Sequence, residues 1–405
     1  MPKTSSMKGR LALMVAHCAG MIDLVALPVW VGTLVARYGL APQQAGLLAT
    51  LFLAAAVGAS LLMAPRFDRL PGRWVTTLGF GGAALAFAAL IGVQSFGLMA
   101  LLHAAAGWCC GAALSITHGT IARSANPHRL FALVGMALGV FAILFLGGTP
   151  QLVAHWGGPA LFAVFAGVML LATGVCAWAF PKPAVGAAGL PIPRGAALKA
   201  RLPASVWFGV AGISTMALTQ AMVFSFLERV GDARGFGLDA ITSVLIALGV
   251  VNLFPAALAA LLEKRIATRW VLVVGPLVQA GLAVLIMGSG TFAPYAVAAA
   301  LFAAVMIFTH TFAFGLLAQL DHSGRALAAT PAMLMVGAAL GPIVGGTLVQ
   351  ALGYASLGAA ALLMDGIALL CFWHASAKTA VPLKPAQPAQ PAQPAAPTPN
   401  AANTL

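Results

Sequence analysis

Charge is what this chain has least of. Only 7% of its 405 residues are Asp, Glu, Lys or Arg, the acids number 8, and 61% are apolar. Soluble domains carry about 25% charged residues, so an ordinary water-exposed globular enzyme is excluded. The five cysteines, Cys18, Cys109, Cys110, Cys176 and Cys371, all fall within apolar runs, and no disulfide framework is expected from them. H-E-x-x-H, G-x-S-x-G and phosphate-loop patterns are missing as well, which argues against the common hydrolytic and nucleotide-using chemistries. Lys and Arg are absent from the central turns of every apolar run.

What the chain does have is length in those runs. Crossing ~30 Å of hydrocarbon takes about 20 apolar residues. Twelve segments meet that length and predict spans at 11–35, 43–64, 74–93, 97–122, 131–154, 158–180, 204–228, 236–262, 269–288, 292–319, 328–350 and 356–377. The fold class is therefore an all-α membrane protein with 12 transmembrane helices. The apolar run after Lys3, Lys8 and Arg10 is too long for a secretory signal and reads as an uncleaved first span.

A net charge of +13 would suggest nucleic-acid binding in a soluble chain. Here 18 of the 21 Lys and Arg fall on the side of the first span's start, leaving Arg37, Arg229 and Arg234 opposite. That asymmetry reports topology and places both termini in the cytoplasm, with no nucleic-acid partner expected. The longest polar interruption, 181–203, is rich in Pro, Gly and Ala and divides the spans six and six. The expected organisation is a bundle at 1–180, a cytoplasmic linker at 181–203, a second bundle at 204–377, and a disordered Pro/Ala/Gln-rich tail at 378–405. An internal repeat supports the division: LVAHWGGPALFA at 152–163 aligns with LVQALGYASLGA at 348–359, and Gly39-Leu40 with Gly237-Leu238.

Two further motifs carry a family resemblance. The loop PRFDRLPGRWV at 65–75 is similar to the G-x-x-x-D-R-x-G-R-R signature of the major facilitator superfamily, matching at Asp68, Arg69, Gly72 and Arg73, with Pro71 inserted. GAALGPIVGG in the eleventh span matches the G-x-x-x-G-P-x-x-G-G pattern of that family's proton antiporters at Gly337, Gly341, Pro342, Gly345 and Gly346. In those antiporters the pattern lies in the fifth span. Twelve spans, cytoplasmic termini and similar halves complete the resemblance. It implies two pseudo-symmetric six-helix bundles that rock about a midplane site, spans one, four, seven and ten lining the cavity, and these loop and glycine residues taking conformational roles.

Few polar residues are placed to do chemistry inside the membrane. Asp23 is central in span one, ~18 Å of helix from either end. An ionised carboxylate there costs at least ~2.5–3.5 kcal/mol, so its presence points to proton coupling or substrate binding. The alternative is a protonated carboxyl bonded to a neighbouring backbone. Asp365 is equally central in span twelve, where a helix-packing hydrogen bond is the better reading. His103 in span four and His310 in span ten join Asp23 as expected proton-coupling groups, because imidazole titrates near neutrality. HAAAGWCCG from His103 resembles the family's R-x-x-x-G pattern with histidine in place of arginine, so a phosphate or polycarboxylate finds no permanent cation. Asp23, Trp30, His103, Trp108, Gln220, Phe224, His310 and Phe314 form the expected substrate-binding set.

No metal or other cofactor is expected, the proton gradient serving as energy source. An alternative copper path would use His17 with Met21, Met99 with His103, and Met306 with His310, each pair sharing a helix face. The overall expectation is a monomeric carrier in a bacterial inner membrane. It would move a small, largely apolar molecule by proton coupling, export favoured over uptake of an aromatic or organic acid.

Overall fold

The computed structural model describes residues 2–182, 202–321 and 330–377, and the linker and tail expectations fall almost entirely outside the described residues. The described chain is helical. Twelve helices are long and apolar enough to cross a membrane: Met7–Tyr38, Pro42–Met63, Gly72–Leu90, Phe96–Ala122, Arg129–Trp156, Pro159–Ala179, Ala204–Ala233, Leu238–Leu262, Thr268–Gly288, Phe292–Leu320, Met333–Leu352 and Ala355–Ser376. They follow the twelve expected spans in order. The agreement has a simple cause: in hydrocarbon each backbone N–H and C=O must be satisfied within its own segment, so an apolar run of this length becomes a helix. Local signals set the ends. The Ser6 hydroxyl accepts the Gly9 N–H at 3.1 Å to open span one, and Gly39, at φ 64°, closes it in a left-handed conformation that glycine adopts freely.

Spans one, seven and eight differ from the expectation of single helices; span eight divides into Leu238–Val251 and Pro255–Leu262, because Pro255 cannot continue the first of these helices but suits the start of the second. Span one is two helices, Met7–Gly20 and Ile22–Tyr38, meeting at Met21 (φ −108°, ψ 22°). Span seven is likewise Ala204–Ser225 and Leu227–Ala233, meeting at Phe226 (φ −111°, ψ 7°). Proline causes neither of these two breaks, since Pro28 lies inside the continuous second half of span one. Tertiary contact accounts for the first. Gly20 is pressed against the Leu114 side chain of span four, and the Cys110 thiol faces the Ala19 and Gly20 carbonyls at 3.8 and 3.7 Å. Those carbonyls are the ones that a break deprives of regular helical donors.

Packing divides the molecule by depth. One continuous apolar core joins the first six spans to the parts of the last six farthest from the basic face, among them Met222, Phe226, Leu245, Ile286, Phe302 and Leu357. A second core lies wholly within the last six spans on the basic side, around Val206, Ile213, Leu272, Phe312, Leu317 and Phe372. Hydrogen bonds between halves follow the same division. Gln43 N–H donates to Gln350 Oε1 at 3.3 Å, Ile343 N–H to Thr50 Oγ1 at 3.2 Å, and Gln151 Nε2 to Asp239 Oδ1 at 3.4 Å. The two halves are thus welded on the face opposite the basic residues, while toward the basic face their cores are separate.

Candidate functional site

Asp23 stands in the first turn of the second half of span one, partly exposed. Its carboxylate meets the backbone N–H groups of Asp23 and Leu24. Among the described residues it makes no ion pair. A helix N-terminus carries roughly half a positive charge, so the break at Met21 gives this acid a stabilising field within a span that lacks a nearby cation. The break also frees backbone polar groups at mid-depth, which irregular segments of membrane helices tolerate where they line a cavity.

Two turns further along, Trp30 is fully buried in an aromatic cluster with Phe165 at 4.8 Å, Phe52 at 5.1 Å and Phe87 at 6.1 Å between ring centroids. His103 stacks on it at 5.5 Å. The Trp30 indole N–H donates to His103 Nε2 at 3.3 Å, and His103 Nδ1 donates to the Met99 carbonyl at 2.7 Å. That network defines the tautomer and uses both ring nitrogens, so His103, expected from sequence to carry protons, has no nitrogen free in this state. His103→Ala strands the indole N–H and opens a cavity, and it is expected to cost about 2–4 kcal/mol, read as a fall of several degrees in the thermal unfolding midpoint of detergent-solubilised protein.

His17 finds a different partner from the one its spacing suggested. Its Nδ1 lies 3.0 Å from His118 Nε2 of span four. Met21 is the hinge itself, Met99 is buried against His103 through its carbonyl, and Met306 is buried one turn from His310 in span ten. His310 packs at a tilt on Phe314, ring centroids 5.0 Å apart, with its ring toward the Met306 backbone. Each of the three Met/His pairs thus has its own surroundings, and no cluster of three His, Cys, Asp or Glu occurs among the described residues.

Trp108 is 44% exposed. It shares a helix face with the exposed Leu101, opposite the face by which Cys110 and Leu114 meet span one, so it is turned away from Asp23. Phe224 is buried in span seven, whereas Gln220 is partly exposed and accepts from Gln279 Nε2 at 3.2 Å. Behind them lies a polar level that spacing along one helix does not reveal. Gly212 packs on Phe372 and Gly358 on Val284. Counting along the antiparallel helices from these contacts sets Asp365 level with Thr219 and Gln279. All three are buried, the Thr219 hydroxyl faces the Asp365 carboxyl, and Gln279 Oε1 has no hydrogen-bond partner among the described residues.

The motif glycines act as contact surfaces. Gly337, Gly341 and Gly345 form one stripe against the backbone and side chains of span seven at Ser214, Ala221 and Met222. Gly346 abuts the Pro42 carbonyl of span two, and the Pro342 carbonyl abuts Gly46. A β-carbon at any of these positions would collide with a neighbouring helix, the condition under which small residues set interhelical distance. In the 65–75 loop, Arg73 donates to the Ala177 carbonyl at the end of span six, Gly72 packs under Ile116, and Arg69 is exposed. The Asp68 side chain lies outside what is described.

On the far face the Glu228 carboxylate rests on Gly32 of span one. Arg229 pairs with Asp232 at 2.5 Å, and Tyr295 donates to the Leu227 carbonyl at 2.9 Å.

The family model of the Major Facilitator Superfamily matches residues 12–321. No curated protein matches the chain in sequence. Among solved structures, a bacterial homologue of the human lysosomal transporter Spinster, in an inward-facing and occupied conformation, has a TM-score of 0.75 at 15% identity, covering 93% of this chain and 98% of that one. The nucleoside transporter NupG follows with 0.66 at 14%, covering 92% and 98%. The human organic anion transporter MFSD10 gives 0.59 at 13%, covering 91% and 99%. At these identities the likeness is one of fold.

Proposed function

Since the chain belongs to the Major Facilitator Superfamily, and so is a secondary transporter rather than an enzyme, we propose that it exports a small, largely apolar organic molecule by proton-coupled alternating access. Asp23 is the proton carrier of this reading. The observation that supports it is the placement of that acid: at a mid-span helix break, partly exposed, and with no ion-pair partner among the described residues. A carboxylate so held exchanges a proton or a cationic ligand without first breaking an ion pair.

The welded far face and separate basic-side cores correspond to an inward-facing state if the basic face is cytoplasmic. The reading places both termini there, in the inner membrane of a bacterium, with the monomer as the working unit. Gln220, His310 and Phe314 supply polar and aromatic contacts to the ligand. His103 acts indirectly by fixing Trp30 of span one, and the span-eleven glycines close the far side. A fixed cation is missing from the span interiors, which favours neutral or cationic ligands over polyanions.

A thermal-shift screen of purified protein against ethidium, benzoate, amino acids and Cu(I) tests the ligand class, because a ligand selective for the folded state raises apparent stability. Stabilisation by ethidium together with ethidium flux driven by an imposed pH gradient in proteoliposomes supports the reading. Stabilisation by benzoate with gradient-driven accumulation would replace export by acid uptake. Stabilisation by Cu(I) alone would replace both.

A further inference from the structure

A cavity of about 450 Å³ opens on the basic face, between the residues preceding span one, the loop joining spans four and five, and the first turns of span five. Arg10 and Arg129 line it together with Ser5, Ser124 and Asn126. Among the described residues neither guanidinium has an ion pair or a hydrogen bond. Both are exposed, and two like charges at one cavity mouth favour an anion there.

Two further features point the same way. The cavity lies at the start of the helix Pro127–Trp156, whose end is capped by the Asn126 side chain accepting the Arg129 N–H at 3.2 Å, and a helix of this length favours an anion there. Ser124, only 6% exposed, lines the cavity with a hydroxyl that has no hydrogen-bond partner among the described residues. A buried unpaired hydroxyl is costly, and a ligand in the cavity can supply the partner that the described residues do not.

The rest of the wall is apolar. Leu130, Leu133 and Met136 run along span five from the cavity mouth into the hydrocarbon, and Met136 is 60% exposed. Cations at the interface and a strip of apolar side chains leading inward match an amphiphile whose charged end is a phosphate. We propose that this cavity binds one anionic phospholipid, its phosphate held by Arg10, Arg129 and the Ser124 hydroxyl and one acyl chain lying along Leu130, Leu133 and Met136. The site tethers the start of span one to the start of span five, independently of which ligand the carrier moves.

The test uses full-length protein in neutral detergent. Added dioleoylphosphatidylglycerol is expected to raise the unfolding midpoint by about 5 °C, with dioleoylphosphatidylcholine giving no comparable rise. Arg10→Gln/Arg129→Gln is expected to lose more than half of that shift. Lys264→Gln/Arg265→Gln, which removes equal charge from another loop on the same face, is expected to keep it. Native mass spectrometry of the wild type checks the same point without a variant, with one phosphatidylglycerol retained per chain. An equal shift with phosphatidylcholine, a full shift in the Arg10/Arg129 variant, or no retained lipid would overturn the proposal. An equal shift with inorganic phosphate would overturn the lipid assignment and leave a simple anion site.

Discussion

Asp23→Asn protein in liposomes is expected to exchange its ligand across the membrane at near wild-type rate while a pH gradient no longer drives accumulation. Active transport should fall by about 100-fold or more, the scale on which a positioned proton-transfer group contributes. Asparagine keeps the size and the hydrogen-bonding of the side chain at the helix break but cannot carry a proton, so it separates movement of the halves from coupling. The aromatic support beside it, Trp30 on His103, is untouched by the substitution. Measuring exchange and gradient-driven flux on the same vesicles distinguishes loss of coupling from loss of fold, because a misfolded carrier loses both. Equal gradient-driven flux in the variant and the wild type would remove Asp23 from the mechanism.

The second large effect is expected at the seal between spans two and eleven. Gly46 lies against the Pro342 carbonyl, and Gly346 against that of Pro42. Gly46→Leu/Gly346→Leu places two side chains where helix backbones touch. Overpacking costs about 1–3 kcal/mol, and here it falls on the state sealed at the far face and not on the opposite one. Conformational equilibrium should therefore shift by roughly 5- to 150-fold toward opening at that face. Labelling of Thr50→Cys, half-buried one turn below Gly46 where Thr50 meets Ile343 across the seal, by an impermeant reagent from the far side, in a background lacking the native cysteines, should rise accordingly while turnover falls at least about 10-fold. Unchanged labelling would mean that the seal lies elsewhere.

How much of this the sequence disclosed follows from the range of the forces involved. Spans are legible because backbone satisfaction in hydrocarbon is local, and all twelve follow from apolar runs punctuated by Gly, Pro and charge. Orientation of side chains around each helix is less so. Trp108 and His103 sit five residues apart on span four, yet one is on an exposed apolar face and the other is clamped between Trp30 and Met99, because span one packs on a single side of that helix. The break at Met21 has no local cause; it depends on Gly20 meeting Leu114 and on the Cys110 thiol, both from a helix more than 80 residues away in sequence. Pairing of His17 with His118, and the shared level of Asp365, Thr219 and Gln279, are likewise products of register between helices. The glycine motif at 337–346 was legible as a packing signal, but its second face, toward span two, was not.

Alternate exposure of Asp23 is the claim on which coupling depends, and labelling at that position examines it most directly. In a variant with Asp23→Cys and the five native cysteines replaced, an impermeant thiol reagent applied to oriented vesicles is expected to modify position 23 from each side of the membrane in turn. Labelling from neither side, or from one side alone, would contradict the account.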